Sequence, residues 1–350
     1  MKENIRLNVA LLKRRVPNLT IAAKSVGLRP ATVSNLTTGK ISIAKSEVKT
    51  LVALATIADC TLDELIIREN DTEKIETGIK VLDLFAPLVR GGTAGLVARP
   101  GMGQLVLMAE IFHRLKKLHF TTLFLMPSEE IAGVNDVIEQ VDYSSSYPDD
   151  IYNRVQEMNE ESNIVIGVDR TMVVTGDLFD FQEKLQEATV RPVTIVLVDT
   201  LGEVVDEDLP YGPLETFWRF DMDLATRKMF PAVDPVVSTS SILEGAYLDS
   251  PHFSIQQRAR KLLRRYKELT FIVDQWGIEK LSESDLLVYR RGQRLEAFLT
   301  QPFYVAEPVA KKKGEWVSLQ DTIEQVRKVL DGVVDHKDVE DLLYVGGLDG

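Results

Sequence analysis

Four short apolar runs constrain this 350-residue chain more than any other feature: AGLVA at 94–98, TTLFLM at 121–126, NIVIGV at 163–168 and VTIVLV at 193–198. Near-continuous apolar runs of this length belong to strands covered on both faces. Between them lie segments with helical periodicity, LVLMAEIFHRLKKL, GVNDVIEQV and DLFDFQEKLQEA. Repeating strand and helix in this way predicts a mostly parallel sheet with helices packed on both sides. From Ser254 onward the pattern becomes mainly helical, with short extended pieces near 303–307 and 315–317.

Residues 1–69 follow a different plan. Leu7, Leu11 and Leu12 give an apolar helical face that ends before Pro17. Further helices are expected over Leu19–Val26, from Pro30, over Lys45–Ala58, and from a Thr61 cap in TLDELI. The chain therefore divides into an all-α head (1–69), an α/β core (70–243) and a mainly α C-terminal domain (244–350).

Charge separates head from body. The whole chain carries −12, yet residues 1–49 hold ten Lys and Arg against Glu3 and Glu47, a net of +8. An acidic partner for the head alone is implied. Cys60 is the only cysteine, which excludes an intrachain disulfide and a thiolate metal cluster, and His113, His119, His252 and His336 show no metal-ligand spacing. No apolar stretch approaches the about eighteen residues of a membrane span, and the N-terminus is too polar for a secretory signal. A cytoplasmic protein without membrane insertion and without a bound metal is expected.

The head segment LTIAAKSVGLRPATVSNLTTGK has the layout of a helix-turn-helix. Ala22 and Ala23 are small where a second helix must approach, Gly27 suits a tight turn, and Pro30 suits a helix start. Val33 and Leu36 would face the core, leaving Arg29, Ala31, Thr32, Ser34 and Asn35 toward solvent. Thr32, Ser34 and Asn35 offer hydrogen bonds to base edges, Ala31 a contact to a thymine methyl, and Arg29 and Lys40 contacts to phosphates. Over residues 5–67 the head resembles the phage-repressor (Cro/CI, or XRE-type) DNA-binding domain. That resemblance implies double-stranded DNA as partner, read by residues 29–35, Pro30 included. The competing reading is a helical protein-interaction cap that does not bind DNA.

In the body, a phosphate-binding loop is expected between the first strand and the helix after it. Gly101 and Gly103 can present backbone amides to an anion there. Such a loop ends in Lys and Thr or Ser, which reach the terminal phosphates and hold magnesium. Gln104 and Leu105 stand in those places, and Arg99 is the nearest replacement charge.

The segments ETGIKVLDLFAPLVRGG, FPAVDPVVSTSSIL, RYKELTFIVDQWGIEKLSESD and FLTQPFYVAEP resemble the catalytic beta subunit of F-type ATP synthases, from about Glu73 to Leu348. The resemblance implies a P-loop (RecA-like) core with a truncated sheet, since only about twenty residues separate Asp199 from Phe220. It also implies that the family's N-terminal barrel is absent, the head standing in its place. The general-base glutamate matches Glu129, the family's adjacent arginine becomes Glu130, and the metal-side aspartate matches Asp199. The closing arginine of the Ser-Thr-Ser run becomes Ser241, and the adenine-flanking aromatics match Phe230 and Phe303.

Phosphoryl transfer depends on positioning and charge stabilisation, so Glu129 without the phosphate-holding groups cannot sustain it. Glu130 adds a like charge facing ATP, at a cost of roughly a few kcal/mol. The expectation is a catalytically inactive body used for assembly or sensing, carried by a sequence-specific DNA-binding regulator. The alternatives are a non-enzymatic scaffold subunit and a protein that binds ATP or ADP without hydrolysis. A homo-oligomer joined through the body is expected, a dimer or open assembly in preference to a closed ring.

Overall fold

The computed structural model describes residues 5–7, 9, 12, 15–16, 19–37, 41, 43, 46–68, 74–158, 162–189, 192–200, 211–212, 214–244 and 251–348. These form two compact units, one built mainly from residues within 1–73, the other from 74–243 together with 249–350.

In the first unit, α1 (Leu19–Ser25) and α2 (Pro30–Thr37) are joined by a tight turn. Gly27 sits at φ +76°, the left-handed region that glycine enters at little cost, and the Leu28 amide donates to Ala23 O at 2.9 Å. Ala23, Val33 and Leu36 are buried with Leu12 and Val16, and with Leu51, Leu54 and Ala55 of α3 (Val48–Ile57). Burying Val33 and Leu36 contributes roughly 1.5–3 kcal/mol each.

The head is not all-α as expected. β1 (Ile5–Leu7) pairs antiparallel with β2 (Ile66–Arg68), in register Ile5 to Arg68 and Leu7 to Ile66. The helix opened by TLDELI is consequently short, α4 (Leu62–Leu65). Two consecutive β-branched residues, Ile66 and Ile67, favour extended backbone and end it. Leu7, expected on a helical face, is buried from the ribbon, and the helical residues that follow it include Val9, Leu12 and Arg15.

The second unit opens with α5 (Lys80–Phe85), flanked by the paired strands β3 (Lys74–Ile75) and β4 (Leu88–Val89). Its main sheet contains β5 (Thr93–Val97), β6 (Thr121–Leu125), β7 (Tyr143–Ser145), β8 (Ile164–Asp169), β9 (Thr194–Val198), β10 (Thr216–Arg219) and β11 (Thr239–Ser240). Among the described residues it has seven strands, in the order β11-β10-β5-β9-β8-β6-β7. All neighbours run parallel except β10 and β11. Each of the four apolar runs forms a strand within a residue of its expected bounds.

One face of the sheet is covered by α6 (Gln104–Lys117) through Leu107, Met108, Ile111 and Phe112. The helix comes so close that a Cβ on Gly167 of β8 would lie 2.3 Å from Met108 Cε and 2.8 Å from Phe112 Cζ, so any larger residue would force these side chains to shift. The short α7 (Val134–Ile138) packs beside α6. The other face is covered by α8 (Pro148–Gln156) and α10 (Asp177–Ala188), with the single-turn α9 (Thr171–Val174) between them in sequence.

The apolar core runs on from α6 into a helical bundle of α13 (Pro251–Trp276), α14 (Glu283–Leu299) and α16 (Leu319–Leu330). Ser282 and Ser318 cap α14 and α16 by accepting from the Asp285 and Asp321 amides at 3.1 and 3.0 Å. The pieces near 303–307 and 315–317 form no strand, and 307 begins the single-turn α15 (Glu307–Ala310). The short α11 (Met222–Thr226) and α12 (Ser241–Glu244) follow β10 and β11.

A buried ion pair locks α6 to this bundle. Arg114 Nε donates to Glu110 Oε1 at 2.6 Å, one helical turn away, with both side chains fully buried. The other Arg114 nitrogens donate to Gly78 O and Glu315 O, while Glu110 accepts from the amides of Tyr304 and Val305. Every charge-bearing atom of the pair has a partner, as burial demands.

Candidate functional site

The loop 98–103 leaves the C-terminal end of β5 and enters α6, which is where open α/β sheets bind ligands. Gly101 and Gly103 adopt φ +80° and +89°, and Gly103 is the residue from which α6 starts. Inside the turn, the buried Met102 accepts the Arg99 amide on its sulfur at 3.2 Å. Gln104 and Leu105 are both buried, and Leu105 belongs to the core cluster that seats α6.

Two cavities flank this loop. The larger, about 710 Å³, is lined by Gly101, Gly103, Phe230, Phe303, Lys228, Lys312 and Tyr344 among others. Both expected aromatics thus face one space. Tyr344 closes its rim: its hydroxyl donates to Lys228 O and accepts from the Phe230 amide at 3.2 Å. Burial pushes the Tyr344 phenol above its ordinary range, so it remains a neutral donor.

The smaller cavity, about 360 Å³, is lined by Arg99, Arg219, Asp221 and Asp234, with Met102 and Phe220 shared between the two. Lys267 on α13 donates to Asp221 Oδ2 at 2.7 Å and to Asp234 Oδ2 at 2.8 Å. Burial raises the pKa of Asp221, but the Lys267 hydrogen bond and charge outweigh it and leave the carboxyl below its usual range. Asp221 also caps α11, accepting from the amides of Asp223 and Leu224.

Asp199 follows β9, whose Val198 lies beside Leu96 of β5. Its carboxylate is 3.5 Å from the guanidinium of Arg170, which follows β8. The neighbouring Asp169 is consumed by Thr171 and by the Thr200 amide and hydroxyl. Tyr211 fills the same region: its hydroxyl donates to Leu96 O at 2.7 Å, and burial together with Asp199 drives its pKa upward.

These residues do not suit the magnesium ion that the resemblance to the ATP synthase beta subunit implies. The hydroxyl ligand is replaced by the buried Leu105, and the remaining carboxylate already has a cation beside it. Among the described residues, no group of three or more His, Cys, Asp or Glu is placed to hold a metal ion.

Of the remaining expected body residues, Ser241 does not join the loop. Glu129 and Glu130 are exposed after β6, which is separated from β5 by β9 and β8. The chain then turns back toward the start of α6, where Gly133 lies against Leu105. Ser241 is exposed at the start of α12, its amide donating to Glu215 O just before β10. Because β10 runs parallel to β5, Ser241 lies at the end of the sheet away from the loop. In the head, Arg29, Ala31 and Ser34 are exposed on α2 and the residue before it, while Pro30, Thr32 and Asn35 are half-buried. Lys40 lies outside the described residues.

Arg170, Arg219, Lys228 and Tyr344 were not singled out from sequence. Arg170 did leave a signal, since it closes the apolar run of β8 at the same sheet end as Asp199. The four-residue strand that ends in Arg219 left none.

Residues 243–338 match the family model for the C-terminal domain of V and A type ATP synthase. Among solved structures the chain is similar to that of a unique ATP synthase subunit, NeqB, from Nanoarcheaum equitans. Identity is 16% and the TM-score 0.58, covering 74% of this chain and 76% of that one. The protein thus contains an ATP-synthase-like fold, with a mixed α/β core sheet and a mainly α C-terminal region. No helix among the described residues is long and apolar enough to cross a membrane.

Proposed function

We propose that this chain is a sequence-specific DNA-binding protein, a transcriptional regulator, with a catalytically silent body like the beta subunit of F-type ATP synthases. The observation that carries this reading is the sidedness of α2. Val33 and Leu36 are buried while Arg29, Ala31 and Ser34 are exposed, in a segment with a net charge of +8. A helix-turn-helix presents a helix to the major groove in this way. The test is binding of the full chain to fragments of its source genome at low and at physiological salt. Enriched fragments with salt-sensitive affinity are expected; no duplex affinity at low salt refutes the reading.

The body is proposed to turn over no ATP. Gln104 and Leu105 replace the phosphate and metal contacts, and the Arg170 guanidinium sits beside Asp199. Magnesium-dependent phosphate release abolished by Glu129→Gln would overturn this. Phe230 and Phe303 facing one cavity favour a second reading, ATP or ADP bound without hydrolysis, which a Phe303→Ala variant tests by loss of nucleotide-induced stabilisation. A homo-oligomer joined through the body completes the proposal, since paired heads reading paired half-sites gain affinity and specificity. A monomeric mass by light scattering at micromolar concentration contradicts it.

A further inference from the structure

We propose that the 360 Å³ cavity lined by Arg99 and Arg219 is a separate ligand site that takes a small organic anion, a carboxylate or a phosphate monoester. The proposal does not rest on nucleotide binding in the aromatic cavity. β5 and β10 are parallel neighbours with Val97 opposite Arg219, so both arginines emerge at the same C-terminal sheet edge. Ligands of open α/β sheets gather at that edge.

The two carboxylates in the wall would repel an anion if they stood alone. Lys267 donates to both of them, so these charged groups sum to three cations against two anions. Each guanidinium has five N–H donors in a planar fork, so it can keep a protein partner and still take an oxyanion. The backbone of Arg219 is held firmly, its amide donating to Ser238 Oγ at 3.0 Å and its carbonyl accepting from the Asp234 amide at 2.7 Å. The rest of the lining is apolar, with Met102 and Phe220 inside and the exposed Met222 and Val237 at the mouth. That lining favours an anion with an organic body over a bare inorganic one, and the volume falls within the range of small-molecule sites.

The test is calorimetric titration of the full chain with phenyl phosphate, succinate and inorganic phosphate. Saturable binding of phenyl phosphate or succinate is expected, and whichever binds tighter identifies the head group. Arg99→Gln and Arg219→Gln should each weaken it by about tenfold or more, while Arg219→Lys retains part of the affinity. Phe303→Ala, at a residue that lines the aromatic cavity and not this one, and Arg29→Ala, in the head, should leave the affinity unchanged. The proposal is overturned if no probe saturates, if both arginine variants bind like the wild type, or if binding is lost in Phe303→Ala or Arg29→Ala instead. Inorganic phosphate binding more tightly than both organic probes would also overturn it.

Discussion

The carboxylate of Asp199 lies 3.5 Å from the guanidinium of Arg170, at the ends of two adjacent parallel strands. An internal cation therefore sits beside the carboxylate that the resemblance assigns to a divalent ion. Magnesium or manganese titrated into the wild-type protein should leave its melting temperature unchanged. Arg170→Met should destabilise the body by about 1–3 kcal/mol in urea, less than a fully buried pair because the arginine is partly solvated. A metal-dependent rise in the wild-type melting temperature would contradict this account.

The Glu110–Arg114 pair provides the larger stability effect. Glu110→Ala leaves a fully buried guanidinium without its counter-charge and frees the amides of Tyr304 and Val305. A loss of about 3–5 kcal/mol is expected, and replacing both residues with apolar ones should recover much of it. Denaturant melts of the single and double variants provide the comparison. Equal losses in both would refute it.

For the head, Arg29→Ala should weaken binding to every duplex alike and flatten the salt dependence. Asn35→Ala or Thr32→Ala should mainly relax sequence preference, by about 1–3 kcal/mol at the bases they read. Competition assays with specific and nonspecific duplexes separate the two effects. A uniform loss in the Asn35 variant would assign that residue to the phosphate backbone.

His252 makes the body sensitive to mild acid. Its Nε2–H donates to Leu84 O at 2.8 Å, and burial, aided by Lys74, lowers its pKa below 6.5 despite that bond. The unfolded chain therefore takes up a proton that the folded one resists. Stability is full above 6.5 and declines as pH falls toward the folded value. Asp142 and Asp221, both held below 3.8, lose their contributions only in stronger acid. The melting temperature of His252→Gln should fall less than that of the wild type between about pH 7.5 and about pH 5.5. Parallel curves would show that His252 titrates normally.

The sheet was legible in the sequence because strands covered on both faces must be apolar throughout, and four such runs stand out. β7 and β10 were not, because three or four residues leave too little pattern to read. The β1–β2 ribbon joins residues about sixty positions apart, and local periodicity carries no record of such pairing. At the site, Phe230 and Phe303 line one cavity. Ser241 does not join them, because it lies at the N-terminal end of β10, and sheet end rather than chain order decides which loops meet.

Leu105 ties the loop after β5 to the packing of the core. Where a phosphate-binding loop offers a hydroxyl to a metal ion, this chain has buried an isobutyl group in the core beneath α6, against the Gly133 turn. A Leu105→Thr substitution would remove packing atoms and place a hydroxyl among apolar neighbours, so a hydroxyl at this position lowers stability before any ligand can offset the loss.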